Sequence, residues 1–178
     1  CDLAKQFQYN HTPEEMKEFD GVISAAGACV MWKKKVLLAE YFSEEEKKLA
    51  AGLLEDIGAV YIMEGFENLY MKKEIRERFF REMEGREEQE KFLLSFFLKT
   101  LPCTLIREMD KVHKCSFFYA EKDNNWLKEN LKKWGMTATT FSQSETRGNS
   151  GEVTKTAFTK GTAVRYLSGY LGVPIEDT

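Results

Sequence analysis

The sequence has few of the residues that bind zinc or form disulfide bridges. It contains four cysteines and two histidines, and no two cysteines form a CxxC pair. Zinc sites need closely spaced Cys and His ligands, so no metal site is expected within this chain. Free cysteines are commonly buried, and unpaired thiols are typical of a reducing compartment. The pattern favours a cytoplasmic protein, and its thiols are Cys1, Cys29, Cys103 and Cys115.

The sequence also has no long apolar run and no strong excess of charge of one sign. No apolar segment reaches the roughly 18 residues that a membrane span needs, and no secretory signal peptide is visible. The formal net charge is −3, and both signs are interspersed. We therefore expect neither a nucleic-acid partner nor a membrane partner. The chain begins with Cys1 rather than Met, which favours a processed product or a piece of a longer protein.

The residues that are present suit a folded domain. Hydrophobic residues make up 43% and aromatic residues 13% of the 178 residues, which is enough for a core. Strand-like and helix-like segments alternate, but some strand-like segments follow one another with no helix between them. This order predicts an α+β fold with a mixed, largely antiparallel sheet and helices on one face. Only the closing strand and helix suit a parallel α/β core.

Local patterns place the helices. Ser43 opens a capping box for a helix that runs to about Ile57 and ends at Gly58. Residues 73–99 form a charged helical stretch that allows a break at Gly85, and Pro102 ends it. Further helices are predicted from Thr12 and from Asp123. The apolar face of the helix after Ser43 is expected to be Leu49, Leu53, Leu54 and Ile57.

Other patterns place strands and turns. Val112–Ala120 has the clearest strand pattern, with an aromatic triplet that belongs in a core. Residues 33–35 are three lysines between two apolar segments, and they predict a hairpin tip. Two interpretations of these lysines stay open, a plain polar turn and a phosphate-binding site. Residues 143–151 are rich in turn formers and predict a loop.

The first turn of the last helix carries a lysine. Thr159 is a suitable N-cap, so Lys160 and Gly161 lie in the first turn. The helix dipole disfavours a cation at this end. A lysine is favoured there when an anion is bound jointly by the backbone N–H groups and the ammonium group. Physical reasoning alone leaves two interpretations, a lysine without a role and an anion site.

Three segments carry a resemblance to a known family. Residues 152–178, "EVTKTAFTKGTAVRYLSGYLGVPIEDT", resemble the third motif region of haloacid-dehalogenase-superfamily phosphatases of the Cof-like branch. Residues 19–30, "FDGVISAAGACV", resemble the passage from the catalytic core of that branch into its cap. Residues 111–120, "KVHKCSFFYA", are similar to the interior of its large, mixed-sheet cap. The resemblance implies a piece of Rossmann-like core over 1–24, a cap domain over 25–150 and a return to the core over 151–178.

The resemblance also implies an activity. The family hydrolyses small phosphorylated metabolites, such as sugar phosphates, through an aspartyl-phosphate intermediate with Mg²⁺. Lys160 matches the lysine that neutralises the attacking aspartate and the phosphoryl group, and Gly161 would let the backbone approach the phosphate. Arg147 and Asn149 precede the closing strand and are candidate substrate-binding residues, although simple solvation is the alternative for Arg147.

Ala26 and Gly27 stand where the family passes between core and cap, and they are candidate hinge residues. The family usually has an asparagine at the position of Ala26.

Several family motifs are absent. The chain has neither the nucleophile motif DxDxT, nor the Ser/Thr motif after it, nor the metal motif GDxxND. The resemblance therefore implies a cap-containing fragment that is inactive and binds no Mg²⁺ by itself, while the parent protein is the phosphatase. The alternative is a free-standing, non-catalytic α+β domain that binds a small molecule or a protein. The aspartates, which lie far apart, are Asp2, Asp20, Asp56, Asp110, Asp123 and Asp177.

Overall fold

A computed structural model of the chain describes residues 19–85, 91–122, 124–141 and 149–178, with the backbone alone for 91–93. Some of the sequence predictions concern residues outside these ranges. The helix from Thr12, the cap at Asp123 and the loop residue Arg147 lie outside the described residues.

The first sheet is small and antiparallel. Its strands are β1 (Gly21–Ser24), β2 (Cys29–Trp32) and β3 (Lys35–Ala39), in the order β1-β2-β3. The turn between β2 and β3 is formed by Lys33 and Lys34, which both have positive φ and are exposed. This hairpin was predicted, and two positive φ angles match the twist of a two-residue turn.

The second sheet has six strands in the order β6-β5-β4-β7-β9-β8. All neighbours are antiparallel except β5 and β6, which are parallel. The predicted mixed, largely antiparallel sheet is confirmed. The strands are β4 (Val60–Gly65), β5 (Leu69–Lys72), β6 (Leu101–Cys103), β7 (Val112–Ala120), β8 (Met136–Thr140) and β9 (Asn149–Lys155).

Five α-helices surround the two sheets within the described residues. The capping box at Ser43 is present, and Gly58 has the left-handed conformation, with a φ of 65°, that ends the helix. The stretch 73–99 is divided into two helices, and the second ends before Pro102, which lies in β6. The helices are α1 (Glu44–Asp56), α2 (Lys73–Glu82), α3 (Lys91–Phe97), α4 (Asn124–Leu131) and α5 (Lys160–Leu171).

The buried face of α1 differs from the prediction. Leu54 and Ile57 are buried, but Leu49 and Leu53 are only partly buried. Lys47 takes a buried position instead, because its Nζ donates to the carbonyl oxygen of Met109 at 2.8 Å. The small side chains beside it allow the helix to approach the sheet closely, and they are Ala50 and Ala51.

The core of the large sheet is a row of apolar side chains on neighbouring strands. Opposed positions in the strands put these side chains on one face, and each is fully buried. Helix α1 reaches this face at Tyr61, whose hydroxyl donates to Glu55, and α4 lies beside β8. Helix α3 contacts Phe118, which points to the opposite face of the sheet. The row consists of Met63, Cys115, Val153 and Ala138.

The chain crosses between the two sheets twice, at residues 40–42 and 156–159. Strands β2 and β3 pair only within the small sheet, so residues 29–39 lie with β1. The expected boundary between residues 150 and 151 falls inside β9, which is continuous from Asn149 to Lys155.

Candidate functional site

The start of α5 has the geometry that the sequence predicts. Thr159 Oγ1 accepts from the backbone N–H of Thr162 at 3.1 Å, and Thr162 Oγ1 accepts from the N–H of Thr159 at 2.7 Å. This reciprocal cap fixes Lys160 and Gly161 as the first two helical residues. Their N–H groups have no acceptor within the helix, because the first turn has none to offer. Within the described residues, these N–H groups are therefore free donors beside an ammonium group.

Lys160 is exposed, and within the described parts of the chain no carboxylate lies within ion-pair distance of it. Gly161 is exposed as well. A Cβ added at Gly161 would meet only Thr159 Oγ1, at 3.8 Å. Packing among the described residues therefore does not require glycine at this position.

A strained turn lies against this helix terminus. Ala25, Ala26 and Gly27 have φ angles of 51°, 57° and 107°. Residues other than glycine avoid this region at a cost of roughly 1–2 kcal/mol each. A Cβ added at Gly27 would lie 2.2 Å from the carbonyl oxygen of Thr159 and 2.8 Å from the backbone nitrogen of Lys160. Only glycine fits there, so two of the three segments that carry the resemblance, 19–30 and 152–178, are in direct contact.

Asn149 and Arg147 are the other candidate substrate-binding residues. Asn149 is the first residue of β9, where it pairs with Ala120 and is partly buried. It was predicted in a loop, but the sheet continues through it. Six residue steps along an extended strand separate Asn149 from Lys155, a distance of roughly 20 Å. Arg147 lies outside the described residues.

The crossings between the sheets are fixed by polar contacts. His113 Nδ1 donates to the carbonyl oxygen of Glu40 at 2.5 Å. Lys155 Nζ lies 3.2 Å from a carboxylate oxygen of Glu46 and 4.0 Å from one of Glu40. Burial lowers the pKa of His113, and it outweighs the carbonyl of Glu40 and the carboxylate of Glu64, which act in the opposite direction. His113 is therefore neutral at pH 7.

A second polar cluster, which the sequence analysis missed, lies on the large sheet. Lys114 Nζ is 2.6 Å from Glu152 Oε2 and 3.5 Å from Glu64 Oε1, and the hydroxyl of Ser116 donates to Glu64. Burial lowers the pKa of Lys114, but the two carboxylates outweigh this effect and raise it to about 12. We call these four residues the sheet cluster. The sequence signal for it is a charged residue in the interior of each of three strands, at Glu64, Lys114 and Glu152.

The comparisons with known proteins identify the family. A family model described as haloacid dehalogenase-like hydrolase matches residues 7–178. The chain belongs to the haloacid dehalogenase-like hydrolases. No curated protein matches this hydrolase in sequence.

Solved structures share the fold of this hydrolase at low sequence identity. The subclass IIB sugar phosphatase BT4131 has a TM-score of 0.62 at 17% identity, and the match covers 96% of this chain and 58% of that one. SMU.1108c from Streptococcus mutans has a TM-score of 0.68 at 15% identity, covering 97% and 59%. TM0651 from Thermotoga maritima has a TM-score of 0.62 at 17% identity, covering 96% and 60%. The chain shares the fold of these structures and spans about three fifths of their length.

The described residues of the hydrolase contain neither a metal-binding cluster nor a membrane-spanning helix. In residues 19–85, 91–122, 124–141 and 149–178, no cluster of three or more His, Cys, Asp or Glu side chains is arranged to hold a metal ion. These residues therefore do not fit a Mg²⁺ site. Among the same residues, no helix has the length and apolar character of a membrane span.

Proposed function

We propose that this chain is the cap-containing part of a Mg²⁺-dependent phosphatase that hydrolyses small phosphorylated metabolites, such as sugar phosphates. One observation carries the proposal. Lys160 is the first residue of α5, and its backbone is held against Gly27 by a contact that admits no side chain. A cation at a helix N-terminus is unfavourable unless an anion is bound there. Membership of the haloacid dehalogenase-like hydrolases supplies the phosphoryl group as that anion.

The chemistry at this half-site is electrostatic. The ammonium of Lys160 and the N–H groups of Lys160 and Gly161 offset negative charge on the phosphoryl oxygens as it develops in the transition state. We assign the aspartate nucleophile and the Mg²⁺ ligands to a further segment of a longer protein. The relatives are longer than this chain, and the described residues contain no metal-binding cluster.

We further propose that the two sheets belong to different parts of the phosphatase. The six-stranded sheet with α1 to α4 forms the cap, and the three-stranded sheet with α5 belongs to the catalytic core. The hydroxyl of Tyr166 on α5 donates to the carbonyl oxygen of Leu37 on β3 at 3.0 Å, which supports this grouping. A cytoplasmic location fits the three described cysteines, which are unpaired and buried, and they are Cys29, Cys103 and Cys115.

The test compares this chain with the longer protein, using p-nitrophenyl phosphate and Mg²⁺. We expect no turnover by the 178-residue chain alone, because the nucleophile is missing. In the longer protein, Lys160→Ala should lower kcat by about 10²-fold or more, since the interaction acts in the transition state. Lys128→Ala, at an exposed position on α4, is the control and should leave kcat unchanged. Mg²⁺-dependent hydrolysis by the chain alone would refute these assigned roles.

A further inference from the structure

The reciprocal cap at the start of α5 decides which N–H groups of the first turn stay free. A helix begins with four N–H groups that have no partner within it. The cap takes two of them, because the N–H of Thr159 donates to Thr162 Oγ1 and the N–H of Thr162 donates to Thr159 Oγ1. The N–H groups of Lys160 and Gly161 have no acceptor among the described residues. The two free donors are therefore neighbours in the chain.

The side chain of Thr162 also holds the peptide group between Thr159 and Lys160. Its hydroxyl donates to the carbonyl oxygen of Thr159 at 2.9 Å, and that oxygen also accepts from the N–H of Ala163 at 2.9 Å. Gly27 packs against the same peptide group, since an added Cβ there would lie 2.2 Å from this carbonyl oxygen. A peptide group is planar and trans, so its N–H points opposite to its C=O. Fixing the carbonyl of Thr159 therefore fixes the direction of the N–H of Lys160.

Thr162 stands at the position where a capping box usually carries Glu or Gln. The box of α1 has that usual form, because Glu46 accepts from the N–H of Ser43 at 2.6 Å. An ionised carboxylate accepts hydrogen bonds but donates none, and at position 162 it would add a negative charge beside a bound anion. The hydroxyl of Thr162 accepts from the N–H of Thr159 and donates to its carbonyl without adding charge. This residue type therefore suits a helix start that binds an anion.

We propose that Thr162 is a positioning residue for phosphoryl transfer, which orients the N–H of Lys160 and leaves it and the N–H of Gly161 free for the phosphoryl oxygens. The inference rests on the proposed function, because Thr162 acts only through Lys160 and Gly161. Its own hydroxyl and N–H are engaged by Thr159. Donors that are held in place before the reaction need no reorganisation when charge develops in the transition state. Loss of the Thr162 hydroxyl therefore lowers the rate of the reaction.

The first experiment measures kcat in variants of the longer protein, with p-nitrophenyl phosphate and Mg²⁺, at a temperature at which each variant is folded. Thr162→Val removes the hydroxyl and keeps the shape of the side chain. It should lower kcat about tenfold, which is less than the cost of about 10²-fold or more for deleting a donor outright. Thr162→Ser keeps the hydroxyl and should retain kcat. Ser43→Ala removes the capping hydroxyl of α1, and it should lower the unfolding temperature while kcat stays unchanged.

The second experiment titrates the ¹⁵N-labelled chain with inorganic phosphate and follows the amides of Lys160 and Gly161. The Kd should rise several-fold in Thr162→Val and stay unchanged in Thr162→Ser and Ser43→Ala. A cap that only stabilises the helix would change the unfolding temperature and leave this Kd as it is. Thr162→Ala replaces Thr162→Val if the valine variant does not fold, because alanine favours the helix.

The outcomes separate this inference from the proposed function. If Thr162→Val lowers the unfolding temperature but keeps kcat and the Kd for phosphate, while Lys160→Ala lowers kcat, the inference is overturned and the proposed function stands. If Lys160→Ala also keeps kcat, the proposed function fails and the inference fails with it. A lower kcat in Thr162→Val that Thr162→Ser does not show, together with a lower kcat in Lys160→Ala, supports both.

Discussion

Gly27 is the residue at which the two ends of the described chain touch. Its φ of 107° is open to glycine and is strained for other residues. The space beside it is occupied by backbone atoms of Thr159 and Lys160. Backbone atoms cannot turn aside as the end of a flexible side chain can. The position of the Lys160 backbone therefore depends on close packing against Gly27, which is distant in the sequence. Ala25 and Ala26 accept strain in the same turn, and strained backbone is common at functional sites.

Replacing Gly27 with alanine should destabilise the protein. The added Cβ forces a strained φ, which costs about 1–2 kcal/mol, and an overlap with backbone, which costs about 1–3 kcal/mol. We expect the free energy of unfolding in urea to fall by about 3 kcal/mol. Gly169→Ala is the matched control on α5, where an added Cβ meets no atom within 4 Å. It should raise stability by about 0.5–1 kcal/mol. Equal effects of the two substitutions would show that the turn does not depend on glycine.

At the scale of elements, the segment 40–42 connects the small sheet to strand β7 of the large sheet through hydrogen bonds. His113 on β7 donates to Glu40, and the N–H of Phe42 donates to the carbonyl oxygen of Val112 at 2.6 Å. The ring of His113 also packs on Tyr41, with centroids 4.6 Å apart. A buried, neutral imidazole thus joins the strand to the crossing segment.

This contact makes stability depend on pH. The pKa of His113 is lowered in the folded state, because burial disfavours the charged ring. The unfolded state then binds more protons, so the contribution of His113 is complete above about pH 6.5 and is lost as the pH falls through the folded pKa. Urea unfolding between pH 7.5 and 5.5 should show stability falling with pH. In His113→Gln this dependence should be weaker. An equal slope in both proteins would show that His113 has the same pKa in the folded and unfolded states.

The sequence was informative where local patterns decide the structure. The capping box at Ser43, the N-cap at Thr159, the left-handed Gly58 and the strand Val112–Ala120 were all predicted, because each depends on neighbouring residues. Strand β6 was missed, because it has three residues around Pro102 and forms only by parallel pairing with β5. A proline is tolerated in such an edge strand.

The polar groups of the structure also differ in how far the sequence predicts them. Lys160 at the helix start followed from local capping and from the resemblance. The sheet cluster did not, because Glu64, Lys114 and Glu152 are joined only by the register of three strands distant in the sequence. Burial of Lys47 in α1 was also missed, since its acceptor is the carbonyl of Met109 in a later segment.

At the scale of the whole molecule, the start of α5 and the sheet cluster have opposite charge. The start of α5 carries an unpaired lysine and free N–H groups among the described residues, whereas the sheet cluster is net negative. They belong to different sheets, which the chain connects at residues 40–42 and 156–159.

The central claim is that the first turn of α5 binds a phosphoryl group through Lys160. The most direct measurement titrates the ¹⁵N-labelled chain with inorganic phosphate and follows the amides of Lys160, Gly161 and Thr162. We predict saturable shifts at these amides and a Kd that rises about tenfold in Lys160→Ala, because a charge-assisted contact is lost. Lys128→Ala should bind as the unaltered chain does. Absence of saturable shifts at these amides, or equal binding by Lys160→Ala, would contradict the claim.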